Sequence, residues 1–220
     1  PGYATIDLAE IVGAAGAVTA IERSQRFLVH ARAACAARAI TNVRFIEADL
    51  AAESIPEVNA DASWCRWVAA FVTKPEALIQ SLARALRAGG HAVFHEYGDY
   101  ASWRMLPRCG SFENFVAEVM ASWRAGGGEP DIGLELPALL QSSGFDLVHV
   151  EPIVFVVGPG DFVWRWPAAF LHSGVERLQS LGRVDQAWAD RIRRDFEQAE
   201  RDPNSLMITP LVLEIIARRA

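Results

Sequence analysis

An open, mostly parallel α/β sheet with helical insertions is the architecture this sequence predicts, and three observations predict it. Over the first hundred residues short apolar strands alternate with amphipathic helices on short links, which is how right-handed crossover units read. The first two of those strands run out on acids, Glu22 and Asp49, at what would be the carboxyl edge of a parallel sheet. After residue 100 the rhythm turns helical, and strand pattern returns only near Leu147 and again near Ile208.

The elements follow in order. Ile6, Leu8, Ala9, Ile11 and Val12 recur at near-helical spacing until Gly13 and Gly16 break the pattern. Val18 to Ile21 reads as a strand ending on Glu22, after which Ser24 can cap a helix to about Arg38, with Phe27, Leu28, Ala31 and Cys35 on one face. Val43 to Ile46 is a second strand, running out at Glu47-Ala48-Asp49. Asp61 to Trp67 reads as a strand and Pro75 to Leu86 as a helix stopped by Ala88-Gly89-Gly90; His91 to Glu96 is the next strand. Helical patterns then cover Phe112 to Ala125 and Leu136 to Ser143, separated by a flexible break at Gly126-Gly127-Gly128. Leu147 to Val157 is apolar and β-branched around Pro152, whose missing N–H favours an edge or a bend. Two more helical stretches fill 161 to 202, one aromatic and one charged, and Ile208 to Ile216 closes the chain as a strand. No repeat, low-complexity tract or long linker interrupts the 220 residues, so a single domain is expected.

Composition narrows the partners. The chain is 51% apolar and 22% charged, with 21 basic against 27 acidic residues, which excludes a disordered chain and disfavours nucleic acid. Three scattered cysteines fit neither a disulfide framework nor a zinc pattern and suggest a reducing cytoplasm. No apolar run reaches the ~18 residues of a membrane helix.

The strand-end acids carry the first chemistry. A carboxylate about 20 residues beyond a glycine turn can accept from both hydroxyls of a ribose, and Glu22 stands at that spacing from Gly2. Asp49, at the next strand end, can accept from an adenine amino group. Such acids also serve as plain helix caps.

Pro1-Gly2-Tyr3-Ala4-Thr5, Ile21-Glu22-Arg23-Ser24, Phe45-Ile46-Glu47-Ala48-Asp49 and Ala88-Gly89-Gly90 together resemble successive motifs of class I S-adenosylmethionine-dependent methyltransferases, of the small-molecule type resembling the ubiquinone/menaquinone-biosynthesis-like group. The resemblance implies a Rossmann-like sheet, mostly parallel with an antiparallel last strand. Residues 1–100 become the cofactor-binding half, and 101–144 and 158–205 become helical insertions that form a substrate lid. It implies S-adenosylmethionine as cofactor, with Glu22 on the ribose, Asp49 and Leu50 on the adenine, Cys65 and Arg66 on the methionine part, and Gly2, Tyr3 and Arg23 completing the contacts. In the family the opening motif is a strand, an acid and Gly-x-Gly-x-Gly. Pro1-Gly2 resemble its last two positions, so a first strand is expected in some tens of residues before Pro1.

Methyl transfer needs alignment of the acceptor and, for a weak nucleophile, removal of a proton. His95 and Glu96 follow the fifth strand of the family pattern and are the candidate bases, although alternation sends one of the pair to the opposite face. Tyr97, Tyr100, Trp103, Phe112 and Trp166 are candidate contacts for a flat or apolar small-molecule acceptor. The strand ending Trp64-Cys65-Arg66-Trp67 lacks the Asn/Asp-Pro-Pro-Tyr/Phe box of adenine methylation, and no aspartate set for magnesium is evident, so no metal is expected. Arg191, Arg193 and Arg194 alternate with acids and read as a solvated helix face. Two rival readings remain. A nicotinamide-dependent oxidoreductase shares the turn-plus-acid arrangement, but Lys74 is the sole lysine and Ala70 stands four residues before it, so no Tyr-x-x-x-Lys pair exists. The other is a catalytically inactive binding module on the same fold. A monomer or homodimer is expected.

Overall fold

A computed structural model describes residues 2–220 and separates the chain into two compact units, 1–55 and 56–220. Pro1 lies outside the described residues.

In the first unit, helix α1 (Tyr3–Val12) leads to strand β1 (Val18–Glu22), helix α2 (Gln25–Ala37) and strand β2 (Val43–Glu47). β1 and β2 pair in parallel with Glu22 beside Glu47, which places the carboxyl ends of both strands together. α2 starts where the sequence predicts: the Ser24 hydroxyl accepts from the Phe27 amide at 3.4 Å, and Leu28, Ala31 and Cys35 form its buried stripe. Asn42 locks the α1–β1 turn, since its side-chain amide donates to the carbonyls of Ala9 and Gly13 at 3.0 and 2.9 Å.

The second unit is built on a four-stranded sheet in the order β3 (Ala60–Arg66), β4 (Leu86–Asp99), β9 (Leu211–Arg219), β6 (Phe145–Ile153). β3 runs parallel to β4; β9 is antiparallel to both of its neighbours, as the family resemblance implies for the last strand. On one face of β4, Ala92, Phe94 and Glu96 are fully buried, whereas His91, Val93 and His95 on the other face keep solvent exposure.

Helix α3 (Pro75–Ala85) opens with proline at its first position and buries Leu78, Ile79, Leu82 and Ala85. It ends three residues before the Ala88-Gly89-Gly90 run, which the sequence reads as the helix stop. That run lies inside β4, because the strand starts early through a bulge against β3 between Ala60 and Ala62. Gly90 is required there: a Cβ would stand 2.9 Å from the Arg87 carbonyl and 3.1 Å from that of Asp61.

Helices α4 (Gly110–Ala125), α6 (Arg165–Ser180) and α7 (Gln186–Arg201) pack around Phe115, Leu171, Val175, Ile192 and Phe196. Gly174 lets α6 close on Phe115, whose Cζ would lie 2.9 Å from an added Cβ. Asp185 caps α7 by accepting from the Trp188 amide at 2.8 Å. Arg191 and Arg194 are exposed as expected, whereas Arg193 is partly buried and donates to the Gln179 side-chain oxygen of α6 at 2.9 Å. A small sheet of β5 (Arg104–Leu106), β8 (Leu206–Ile208) and β7 (Val156–Val157) goes beyond the sequence prediction, which runs 147–157 as one strand and starts the last one at Ile208. The short helix α5 (Leu136–Ser142) precedes β6. Among the described residues no helix is long and apolar enough to cross a membrane.

Candidate active site

In the first unit the acids named from sequence stand together at the end of the β1–β2 pair. Glu22 is half-buried and its Oε1 accepts from the Ser24 amide at 2.8 Å; Asp49 follows β2, and its Oδ1 accepts from the Ala51 amide at 3.0 Å. Each carboxylate has lone pairs beyond those single bonds, so this donor set suits hydroxyl and amino donors of a nucleoside. Gly2 adopts a left-handed backbone, with φ 86, and a Cβ there would meet the Ala31 Cβ at 2.7 Å, so packing of α1 on α2 demands glycine. Leu50 is half-buried, whereas Tyr3 is 68% exposed and Arg23 is exposed.

In the second unit the carboxyl ends of β3 and β4 hold the most perturbed ionisable group. Glu96 is completely buried. Its Oε1 accepts from the amides of Val68 and Ala69 at 2.7 and 2.9 Å, while Oε2, also buried, has no hydrogen-bond partner among the described residues. Burial pushes the carboxyl up to about 7 against the pull of the Val68, Ala69 and Ala70 amides, which favour the ionised form. Burial and the Glu96 charge hold the Cys65 thiol above its ordinary range, which argues for a packed cysteine and against a nucleophile. Tyr97 is raised by burial and by Glu96, and Tyr100 by burial and by Tyr97.

Aromatic rings gather at the same strand ends. Trp67, directly after β3, lies nearly parallel to Tyr97 with centroids 5.6 Å apart and to Trp166 at 5.3 Å. Tyr97 meets Tyr100 edge-on at 4.7 Å, and Tyr100 meets Trp123 at 4.9 Å. The Arg66 guanidinium lies over the Trp64 and Trp67 rings at 4.9 and 4.7 Å. Trp67 has a φ of 54, a left-handed conformation that costs a tryptophan about 1–2 kcal/mol. Residues 127–133 close over this end. Gly128 sits against the Ala70 carbonyl, the Glu129 amide donates to that carbonyl at 3.0 Å, and a Cβ on Gly133 would stand 2.6 Å from the Tyr97 carbonyl oxygen.

Several sequence expectations divide here. His95 and Glu96 do not share a site: His95 points to the opposite face, where its Nε2 lies 2.8 Å from Glu214. Tyr97, Tyr100 and Trp166 do come together. Trp103 and Phe112, named as substrate contacts, are each 1% exposed within the helical core, with the Trp103 indole N–H donating to the Met207 sulfur at 3.1 Å. They pack that core, where their rings meet one another edge-on at 5.0 Å. The Gly126-Gly127-Gly128 run, expected as a flexible break, is an ordered turn bonded to α4 and followed by the Glu129 amide bonded to Ala70. The sequence reading missed Trp67 and Trp123 and the three backbone amides that clamp Glu96. Adjacency of Trp67 to Arg66 was the available signal; the left-handed turn that aims its ring has none.

Comparison with known proteins bears on the fold. Residues 1–90 match the family described as "Methyltransferase domain". Among solved structures, an S-adenosylmethionine-dependent methyltransferase from Mesorhizobium loti is 21% identical with a TM-score of 0.53, covering 98% of this chain and 85% of its own. A candidate sarcosine dimethylglycine methyltransferase from Galdieria sulphuraria is 13% identical with a TM-score of 0.58, covering 100% and 75%. The cyclase SpnF is 18% identical with a TM-score of 0.59, covering 99% and 70%. At these identities the likeness is one of fold. No curated protein matches the chain.

Proposed function

We propose that this chain, whose first 90 residues match a methyltransferase domain and whose fold is that of solved methyltransferases, transfers a methyl group from S-adenosylmethionine to a small-molecule acceptor, with Glu96 as the base. The observation that carries the reading is Glu96 itself: a buried carboxylate, half clamped by backbone amides, with its second oxygen unpartnered at a strand's carboxyl end. In the first unit, Glu22 would hold the ribose hydroxyls and Asp49 with Leu50 the adenine, with Gly2, Tyr3 and Arg23 beside them. The cofactor, when bound, supplies an electrophilic methyl group.

The chain's own groups do the rest. The Val68 and Ala69 amides fix the Glu96 carboxylate in one orientation, and its Oε2, buried in this structure, would take a proton from the acceptor heteroatom only once the strand end opens to admit the acceptor. An acid titrating at about 7 is matched to that task near neutral pH, being ionised often enough to act and basic enough to accept. Trp67 and Trp166, partly buried, are the rings open to a flat or apolar acceptor; Tyr97 and Tyr100 pack behind them in the same buried cluster as Trp103. Residues 127–133 keep water from the strand ends.

The test is calorimetric titration with S-adenosylhomocysteine, followed by methyl transfer from labelled S-adenosylmethionine to a panel of phenols, acids and amines. Binding with turnover that rises through about pH 7, and is lost by about 10²-fold or more in Glu96→Gln, is the expected result. Absence of binding overturns the reading. Binding without turnover on any acceptor moves the chain to a binding module on the same fold.

A further inference from the structure

On the face of the four-stranded sheet opposite Glu96, two imidazoles and two carboxylates converge. The register of β4, β9 and β6 sets His95 beside Glu214 and Glu214 beside Glu151. His149 stands two residues before Glu151, so alternation returns it to the same face. His95 Nε2 lies 2.8 Å from Glu214 Oε2, and His149 Nε2 lies 3.0 Å from Glu151 Oε2. Ligating atoms of His149, Glu151 and Glu214 all fall within 4.8 Å of one another.

Glu151 and Glu214 are like charges side by side on antiparallel strands, an arrangement that destabilises a sheet unless a positive group lies between them. Each is bonded to one imidazole, and the four partners together present two nitrogens and two oxygens. Hard cations such as magnesium and calcium take oxygen shells; a mixed imidazole and carboxylate set suits a borderline first-row ion. Ligand atoms about 2.1 Å from such an ion stand about 3.4 Å apart in a tetrahedron, so side-chain shifts of about 1 Å close the His149, Glu151 and Glu214 set, and His95 stands next to it through Glu214. His149 and Glu151 have side chains 46% and 62% exposed, which leaves them free to make that shift and the ion free to enter.

We propose that His95, His149, Glu151 and Glu214 form a cross-strand site for a divalent ion of the zinc class. The site is independent of methyl transfer. A bound ion ties β4, β9 and β6 together on their exposed face, replacing a repulsion between strands with a shared bond. Sequence spacing does not reveal it, because His95 and Glu214 lie 119 residues apart.

The test uses tag-free full-length chain titrated with Zn²⁺ by calorimetry, and with Co²⁺ by visible absorption. The expected result is one equivalent bound, a Co²⁺ spectrum without a thiolate charge-transfer band, and a raised melting temperature with Zn²⁺. His149→Ala and, separately, Glu151→Gln should each weaken binding by about tenfold or more. Both positions are exposed, and circular dichroism of the metal-free variants checks that they fold. Failure to bind either ion overturns the proposal, and so does undiminished affinity in both variants or a thiolate band.

Discussion

Replacing Glu96 with glutamine should change how the protein's stability depends on pH. The carboxyl has an ordinary value of 4.5 and is pushed up to about 7 in the fold by burial. With the folded value above the unfolded one, the unfolded chain releases its proton first as pH rises. Stability from this group is therefore complete below about 4.5, declines between about 4.5 and 7, and is constant above. At 1.36 kcal/mol per unit the full decline is about 3 kcal/mol. The glutamine side chain would keep an oxygen for the Val68 and Ala69 amides and place an uncharged group at the second oxygen, so it resembles the protonated acid at every pH. Urea unfolding of both proteins from about pH 5 to 8 isolates the effect, because every other carboxylate cancels in the difference. All seven tryptophans lie at or beyond Trp64, so their fluorescence reports the unit that contains Glu96. The variant should gain about 2–3 kcal/mol on the wild type across that range. Parallel profiles would refute both the raised pKa and the poised base built on it.

Glu22→Gln should weaken S-adenosylhomocysteine binding by about tenfold or more in calorimetry, because a neutral amide replaces the carboxylate proposed to accept from the two ribose hydroxyls. Gly133→Ala should lower unfolding stability by about 1–3 kcal/mol in urea, since its Cβ would press on the Tyr97 carbonyl oxygen at 2.6 Å. Leu171→Ala removes a fully buried side chain from the helical core and should cost about 2–5 kcal/mol by the same measurement.

Legibility in the sequence followed the range of the interaction. Ser24 caps α2 through the amide three residues on, and the pattern of Leu28, Ala31 and Cys35 needs one helix turn at a time, so both are readable locally. Alternation already places His95 and Glu96 on opposite faces. Which of the two is buried depends on what covers each face of the sheet, and that is settled by elements far along the chain. The Ala88-Gly89-Gly90 run has the composition of a helix stop, yet pairing with β3 draws it into a strand. β5, β7 and β8 are two or three residues long and have no period to detect. The aromatic group at the strand ends joins Trp67 to Trp166 across about a hundred residues, and residue type alone does not distinguish it from the rings that only fill the helical core.

The order of the four-stranded sheet also sets a timetable for folding. β9 comes last in the sequence but lies between β4 and β6, and it alone pairs with both. Until residues 211–219 leave the ribosome, β4 and β6 each have an edge with no strand to meet it. Nascent chains that have released β4 and β6 but not β9 are therefore the ones most prone to mispairing, and a protein halted shortly before Leu211 should bind a chaperone more than one halted after Arg219 has emerged.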